Sequence, residues 1–243
     1  MVAQIYVDDI IFGGMSDQLV QQFVQQMKSE FEMSMVDELS YFLGFQVKQM
    51  NNRIFISQSK YAKNLVKKFR LENSKSKRTL AATHVKVGKD VDGSSVDISN
   101  YKSMIGSLLY LTASRLDIAY SVGICARFQA DPKESHLNQV KIIIKYVNGT
   151  EEYGLLYTFD TNSMLVGFCD TDWAANAKDR KSTSDGCFFG GNNIVSWELV
   201  EDKVITLEHV STDKQLVDIF TKALDAAQFE SLRSSLGLYV IDK

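Results

Sequence analysis

Two adjacent carboxylates stand near the start of the chain, in Tyr6-Val7-Asp8-Asp9. Held at a tight turn, such a pair can ligate the divalent cations that assist phosphoryl transfer, because a hard cation such as Mg2+ takes oxygen ligands and neutralises phosphate charge. An Asp-Asp turn between apolar strands is equally an ordinary hairpin turn, so the motif alone specifies no reaction. The second chemical signal is charge. Between Lys48 and Lys89 stand twelve cations, among them Lys48, Arg53, Lys60, Lys63, Lys67, Lys68 and Arg70, against the single acid Glu72. That segment carries +11 in a chain of net charge −3, which leaves −14 elsewhere. The asymmetry suits either contact with a phosphate backbone or a solvated helix face.

Other chemistries find less support. His84, His136 and His209 show no ligand spacing and read as surface residues. Cys125, Cys169 and Cys187 are scattered, with no Cys-x-x-Cys pair, so neither a zinc site nor a disulfide framework is expected, and a reducing, intracellular compartment is the default. At 243 residues, 45% hydrophobic and 23% charged, the chain is long enough for one or two buried cores. No apolar stretch approaches the roughly 20 residues of a membrane span, so no membrane partner is expected.

The elements that must position these residues follow from periodicity and turn chemistry. Gln4 to Val7 and Ile10 to Phe12 read as strands joined at the Asp8-Asp9 turn. A helix follows, with Ser16 as N-cap and Leu19, Val20, Phe23, Val24, Met27 and Phe31 along one stripe. A second hairpin, Tyr41 to Lys48 and Arg53 to Ser57, turns at Asn51-Asn52, where asparagine tolerates left-handed backbone. The basic helix Lys60 to Arg70 turns Tyr61, Leu65 and Phe69 to a core and its lysines elsewhere. Residues 72–97, rich in Ser, Lys, Gly and Asp, read as a linker. Helical patterns span Asn100 to Ala113, Asp117 to Gln129 and Pro132 to Val147, the third with Asp131 as N-cap, a capping box to Glu134 and a left-handed stop at Gly149. Strands are expected over Gly154 to Thr158, Met164 to Cys169, Asp185 to Phe189, Asn193 to Trp197 and Val204 to Val210, then helices over Thr212 to Leu224 and Ala226 to Leu236. Trp173 and Trp197 are expected to fill a second core.

The order of these elements carries a resemblance. Tyr6-Val7-Asp8-Asp9-Ile10, Tyr41-Phe42-Leu43-Gly44-Phe45-Gln46-Val47 and Ile54-Phe55-Ile56-Ser57-Gln58-Ser59-Lys60-Tyr61-Ala62 resemble the reverse transcriptase of copia-type retrotransposons. Tyr101 to Thr112, Ser114 to Tyr120 and Lys145 to Thr150 are similar to that family's connecting region. Gly167-Phe168-Cys169-Asp170-Thr171-Asp172-Trp173-Ala174, Asp179 to Ser184 and Gln215 to Leu224 resemble parts of its ribonuclease H. One departure is Leu116, where the family has proline.

The resemblance implies an α+β fold. The end of a reverse-transcriptase palm and a thumb would occupy 1–71, a linker 72–97, a helical connection 98–152, and an incomplete ribonuclease H-like α/β domain 153–243, with an internal deletion near 197–198. It assigns Asp8 and Asp9 to the polymerase centre and Asp170 and Asp218 to the ribonuclease H centre, with Mg2+ as the metal and an RNA/DNA hybrid as partner. Lys48, Arg53, Lys60, Lys63, Lys67, Lys68 and Arg70 would lie in the hairpin and thumb that grip duplex backbone. Each centre lacks acids, since a polymerase site needs a further aspartate from an upstream strand and the nuclease site about four carboxylates around two metals. The isolated chain is therefore expected to hold metal weakly and to be inactive, a decayed transposable-element copy that retains sequence-independent nucleic-acid binding. Its rivals are a split polymerase part that lends the Asp-Asp turn to a separate upstream half, and a domesticated nucleic-acid-binding module. Only Glu198 to Lys203 precede the strand expected at Val204 to Val210, too short for a parallel crossover, so that strand is expected to hairpin back on Asn193 to Trp197. Unpaired edges at the Gln4 to Val7 strand and the Met164 strand favour self-association.

Overall fold

Short alternating runs bounded by turn residues make the first element, a hairpin of β1 (Val2–Tyr6) and β2 (Asp9–Gly13). In the computed structural model, which describes residues 1–14, 16–35, 38–80, 90–172, 183–197, 210–211 and 214–241, the chain is α+β and divides into two compact units, Met1–Leu39 and Ser40–Lys243. Trp173, His84, His209 and the expected strand over 204–210, Val210 apart, lie outside the described residues. No helix among the described residues is long and apolar enough to cross a membrane.

In the first unit the strands pair antiparallel from Val2↔Gly13 to Tyr6↔Asp9. Helix α1 (Asp17–Glu30) starts where Ser16 accepts the Leu19 N–H through its hydroxyl at 3.4 Å, the expected N-cap. Its apolar stripe buries Val24 and brings Phe23 to Phe12 of β2, ring centroids 5.3 Å apart. Strand β1 is exposed along its whole length.

The second unit is built on a five-stranded antiparallel sheet. Its strands are β3 (Tyr41–Phe42), β4 (Phe45–Met50), β5 (Arg53–Ser57), β6 (Gly154–Thr158) and β10 (Leu238–Tyr239), in the order β10-β6-β5-β4-β3. Strands β5 and β6 thus pair directly, from opposite sides of the segment 72–97. Gly44 at the β3–β4 turn has a φ of +85° and receives the Tyr110 ring, whose hydroxyl donates to the Leu43 carbonyl at 2.7 Å; a side chain there would strike that hydroxyl. Asn51 and Asn52 connect β4 to β5 without positive φ, contrary to expectation. The turn is instead held by the Phe159 N–H, which donates to the Asn52 carbonyl at 3.0 Å.

Four helices pack chiefly against one another: α2 (Ser59–Lys68), α3 (Ile98–Leu111), α4 (Ala119–Ala126, preceded by a 3-10 turn) and α5 (Glu134–Asn148). Helix α3 begins earlier than periodicity alone suggests, because the Asp97 carboxylate accepts the Ser99 and Asn100 N–H groups at 2.8 and 3.2 Å. Tyr101, Met104, Ile105, Leu108 and Leu111, at helical spacing, are its buried face. The start of α5 differs from expectation. Lys133 is the N-cap and His136, not Glu134, closes the box, its Nδ1 accepting the Lys133 N–H at 3.0 Å. His136 is therefore buried, stacked on Phe128 with ring centroids 4.0 Å apart, rather than a surface residue. Gly149 ends α5 with a φ of −93°, not left-handed; it is required because Ser76 lies 2.7 Å from where a Cβ would stand.

A second sheet, β7 (Leu165–Asp172), β8 (Thr183–Gly190) and β9 (Asn193–Trp197), is antiparallel in that order, with β7 at an edge among the described residues. Of the helix expected over 212–224, α6 (Asp218–Thr221) forms, followed by α7 (Ala226–Ser235).

A buried polar network ties α5 and the turn before α4 to α7. The Arg115 guanidinium grips Asp117 at 2.8 and 2.9 Å and donates to the Thr150 carbonyl and hydroxyl. Tyr146 donates to Asp117 at 2.5 Å, and Arg233 donates to the Tyr146 and Tyr153 hydroxyls at 2.9 and 3.0 Å. Burial pushes the Asp117 carboxyl up, but the Arg115 guanidinium and the Tyr146 hydroxyl outweigh it and hold the group below the usual carboxylate range.

Candidate functional site

The Asp8-Asp9 motif lies at the tip of the β1–β2 hairpin. The loop is Val7-Asp8, while Asp9 opens β2 opposite Tyr6. Val7 takes a φ of +54°, a strained conformation for a β-branched side chain, and is 84% exposed. Both aspartates are exposed, and no group of three or more His, Cys, Asp or Glu suited to a metal occurs among the described residues. Mg2+ sheds its water reluctantly and demands near-octahedral oxygen ligation, so a solvated pair on one turn is a poor chelate.

Asp170 and Asp218, far apart in sequence, are brought together. Strand β7 carries Asp170, opposite Asp185 of β8, and α6 opens with Asp218. The cation between them is a lysine. Lys222 Nζ lies 2.7 Å from Asp218 Oδ1 and 3.2 Å from Asp170 Oδ2, and the Thr221 hydroxyl donates to the same Asp170 oxygen at 2.6 Å. Asp218 is 1% exposed, whereas Lys222 is about one-third exposed. Burial pulls the Lys222 ammonium down, but its hydrogen bonds to Asp218 and Asp170 outweigh this and raise it above the usual lysine value. Asp185 stays outside this arrangement; burial pushes its carboxyl up, partly offset by the Gly186 N–H. One oxygen of each carboxylate, Asp170 Oδ2 and Asp218 Oδ1, is engaged by the ammonium, and Asp170 Oδ2 also by the hydroxyl, so the donor set among the described residues does not fit a Mg2+ pair. Neither Lys222 nor Thr221 was singled out from sequence as a functional residue. The available signal was the Asp218–Lys222 spacing of four on a helical segment.

The basic residues are distributed unevenly. Lys48 on β4 and Arg53 at the start of β5 are exposed on the hairpin. Helix α2 is attached to that hairpin by Gln46, whose Oε1 accepts the Lys60 N–H at 2.8 Å, a tertiary cap in place of a local one. Lys60, Lys63 and Lys67 share one helix face at spacings of three and four, opposite the buried Ala62, Leu65 and Val66. Lys63 is paired with Glu152, which raises its ammonium above the usual value. Lys68 donates to the Ser107 hydroxyl at 3.3 Å and lies 5.0 Å from the centre of the Phe69 ring. Arg70 follows the helix with a φ of +56°. Lys60, Lys67 and Arg70 are exposed and form no ion pair among the described residues.

The family described as "Reverse transcriptase (RNA-dependent DNA polymerase)" matches residues 1–82. An uncharacterized mitochondrial protein of Arabidopsis thaliana is 32% identical over 214 residues, 88% of each chain. The retrovirus-related Pol polyprotein from transposon RE1 of the same plant is 27% identical over 96% of this chain, and that from transposon TNT 1-94 of Nicotiana tabacum is 25% identical over 98%. The chain spans 16% and 18% of the lengths of those two polyproteins. No solved structure matches it significantly. With the similarity running the length of the chain and beginning at the Asp8-Asp9 hairpin, the protein belongs to the reverse-transcriptase family of retrotransposon Pol polyproteins.

Proposed function

We propose that this chain is a Pol remnant that binds nucleic-acid backbone without sequence preference and neither extends primers nor cuts RNA on its own. In this reading Met1–Leu39 is the end of a palm, the β4–β5 hairpin and α2 are a primer grip and thumb, helices α3 to α5 are a connection, and β6 onward is a gapped ribonuclease H-like domain. The observation that carries it is the cationic face of α2. Lys60 and Lys67 stand exposed on one stripe, Arg70 follows, and Gln46 fastens the helix to the hairpin bearing Lys48 and Arg53. Fixed cations on a rigid support release counterions from a duplex, giving affinity that falls steeply with salt. Catalytic silence is supported by the solvated aspartates at the first turn and by the lysine between the second pair.

Filter binding to an RNA/DNA hybrid at several salt concentrations tests the reading. Charge reversal at Lys60, Lys67 and Arg70 together should weaken binding and reduce the log–log salt slope by about 2 to 3, one contact contributing roughly 0.9. Lys63→Gln should matter less, because Glu152 already neutralises that ammonium. Binding unchanged by the triple reversal rejects the proposal, and so does primer extension or hybrid cleavage by the isolated chain.

A second reading is favoured by β1. Among the described residues the only strand paired with it is β2, and Val2 and Ile5 are exposed. Its other edge suits strand addition, either by a separate polymerase half that borrows Asp8 and Asp9 or by another copy of the chain. Restored extension on adding such a half supports the first, and concentration-dependent oligomers the second.

A further inference from the structure

The relation of Lys222 to Asp170 and Asp218 goes beyond nucleic-acid binding and does not depend on it. Asp218 is sealed from solvent at 1% exposure and Asp170 is partly buried at 17%, and a buried carboxylate needs a cation or it destabilises the fold. The Lys222 ammonium meets that need, 2.7 and 3.2 Å from the two carboxylates. A Mg2+ ion bound to the same oxygens would sit about 2.1 Å from each, within the space of the ammonium, so the two cations exclude one another. Thr221 adds a further donor to Asp170, leaving that oxygen less able to bind a metal.

We propose that Lys222 is the resident cation of the Asp170–Asp218 pair, that it keeps divalent metal out, and that removing its ammonium converts the pair into a divalent-cation site. The lysine is thus a tethered monocation at a place where two carboxylates would otherwise attract a metal.

The test is Mn2+ binding, read from the electron paramagnetic resonance of free Mn2+, together with the melting temperature with and without Mn2+. Four chains are compared: the natural sequence, Asp218→Asn, Lys222→Met, and Lys222→Met combined with Asp218→Asn. The natural sequence should bind no Mn2+ that Asp218→Asn removes. Lys222→Met should bind Mn2+ about tenfold more tightly or better and be stabilised by it, and the double variant should lose both effects. If Lys222→Met folds only when Mn2+ is supplied, the proposal is supported. It is overturned if the natural sequence already binds Mn2+ through Asp218, if Lys222→Met gains neither binding nor folding in Mn2+, or if the double variant keeps the gain.

Discussion

The two pairs of aspartates solve one electrostatic problem in opposite ways. At the first hairpin, Asp8 and Asp9 are exposed at a tip where water supplies their solvation and the hairpin closes around a strained Val7. Between the second sheet and α6, Asp170 is partly and Asp218 wholly drawn out of water, and the fold supplies a counter-ion from one turn beyond Asp218, Lys222. The difference teaches that a carboxylate pair does not identify itself as a metal site. Burial creates the demand for a cation, and the neighbouring side chain determines which cation meets it. The Asp117 cluster extends the pattern, because there burial is complete and a guanidinium fills the same role with two parallel hydrogen bonds.

The largest loss of stability is expected where burial is complete. Asp117→Ala leaves Arg115 buried beside Arg233 with no carboxylate, and urea denaturation should show a loss of about 3–5 kcal/mol. A loss near zero would mean that burial of charge is not what organises these sites. The Lys222→Met change should cost less, about 1–2 kcal/mol in metal-free buffer, because Lys222 is partly exposed and its contribution is screened.

The pH dependence sharpens the same point. The Asp117 carboxyl is held below its ordinary 3.8, so its stabilisation is complete above that value and is lost as pH falls through the lower folded value. Asp117→Asn should flatten the acid limb of a denaturation-midpoint profile. The Lys222 ammonium is held above its ordinary 10.5, so its stabilisation is complete below that value and is lost as pH rises through the higher folded value. Lys222→Met should flatten the alkaline limb.

Smaller effects belong to the exposed hairpin. Val7→Gly removes the cost of a positive φ and should stabilise by about 0.5–1 kcal/mol, read as a rise in thermal midpoint. Asp8→Asn with Asp9→Asn should change stability by less than about 0.5 kcal/mol, since neither group is buried. A larger effect would place these acids in an interaction that the exposed turn does not display.

Much of the scaffold was legible from residue patterns. Strands β6 and β9 fall where the turn residues around them put their ends, and α1 begins at the Ser16 cap. The errors share a cause. His136 carried no sign of burial because its neighbour Phe128 lies in another segment, and Gly149 looked like a left-handed stop because the close approach of Ser76 is not local. The longer helix expected before Leu224 shrank to Asp218–Thr221, whose side chains are engaged with β7.

Residue order alone specified the hairpins, the amphipathic helices, the family and the identity of the acids and bases in play, because these depend on backbone hydrogen bonding and side-chain periodicity within a few residues. It left open which charges remain available to a ligand. Glu152 neutralises Lys63 across 89 positions of chain, and Lys222 closes Asp170 from a different element. Charge compensation acts through space at about 3 Å and falls off with distance and solvent, so it is settled only when the folded chain brings those groups into contact.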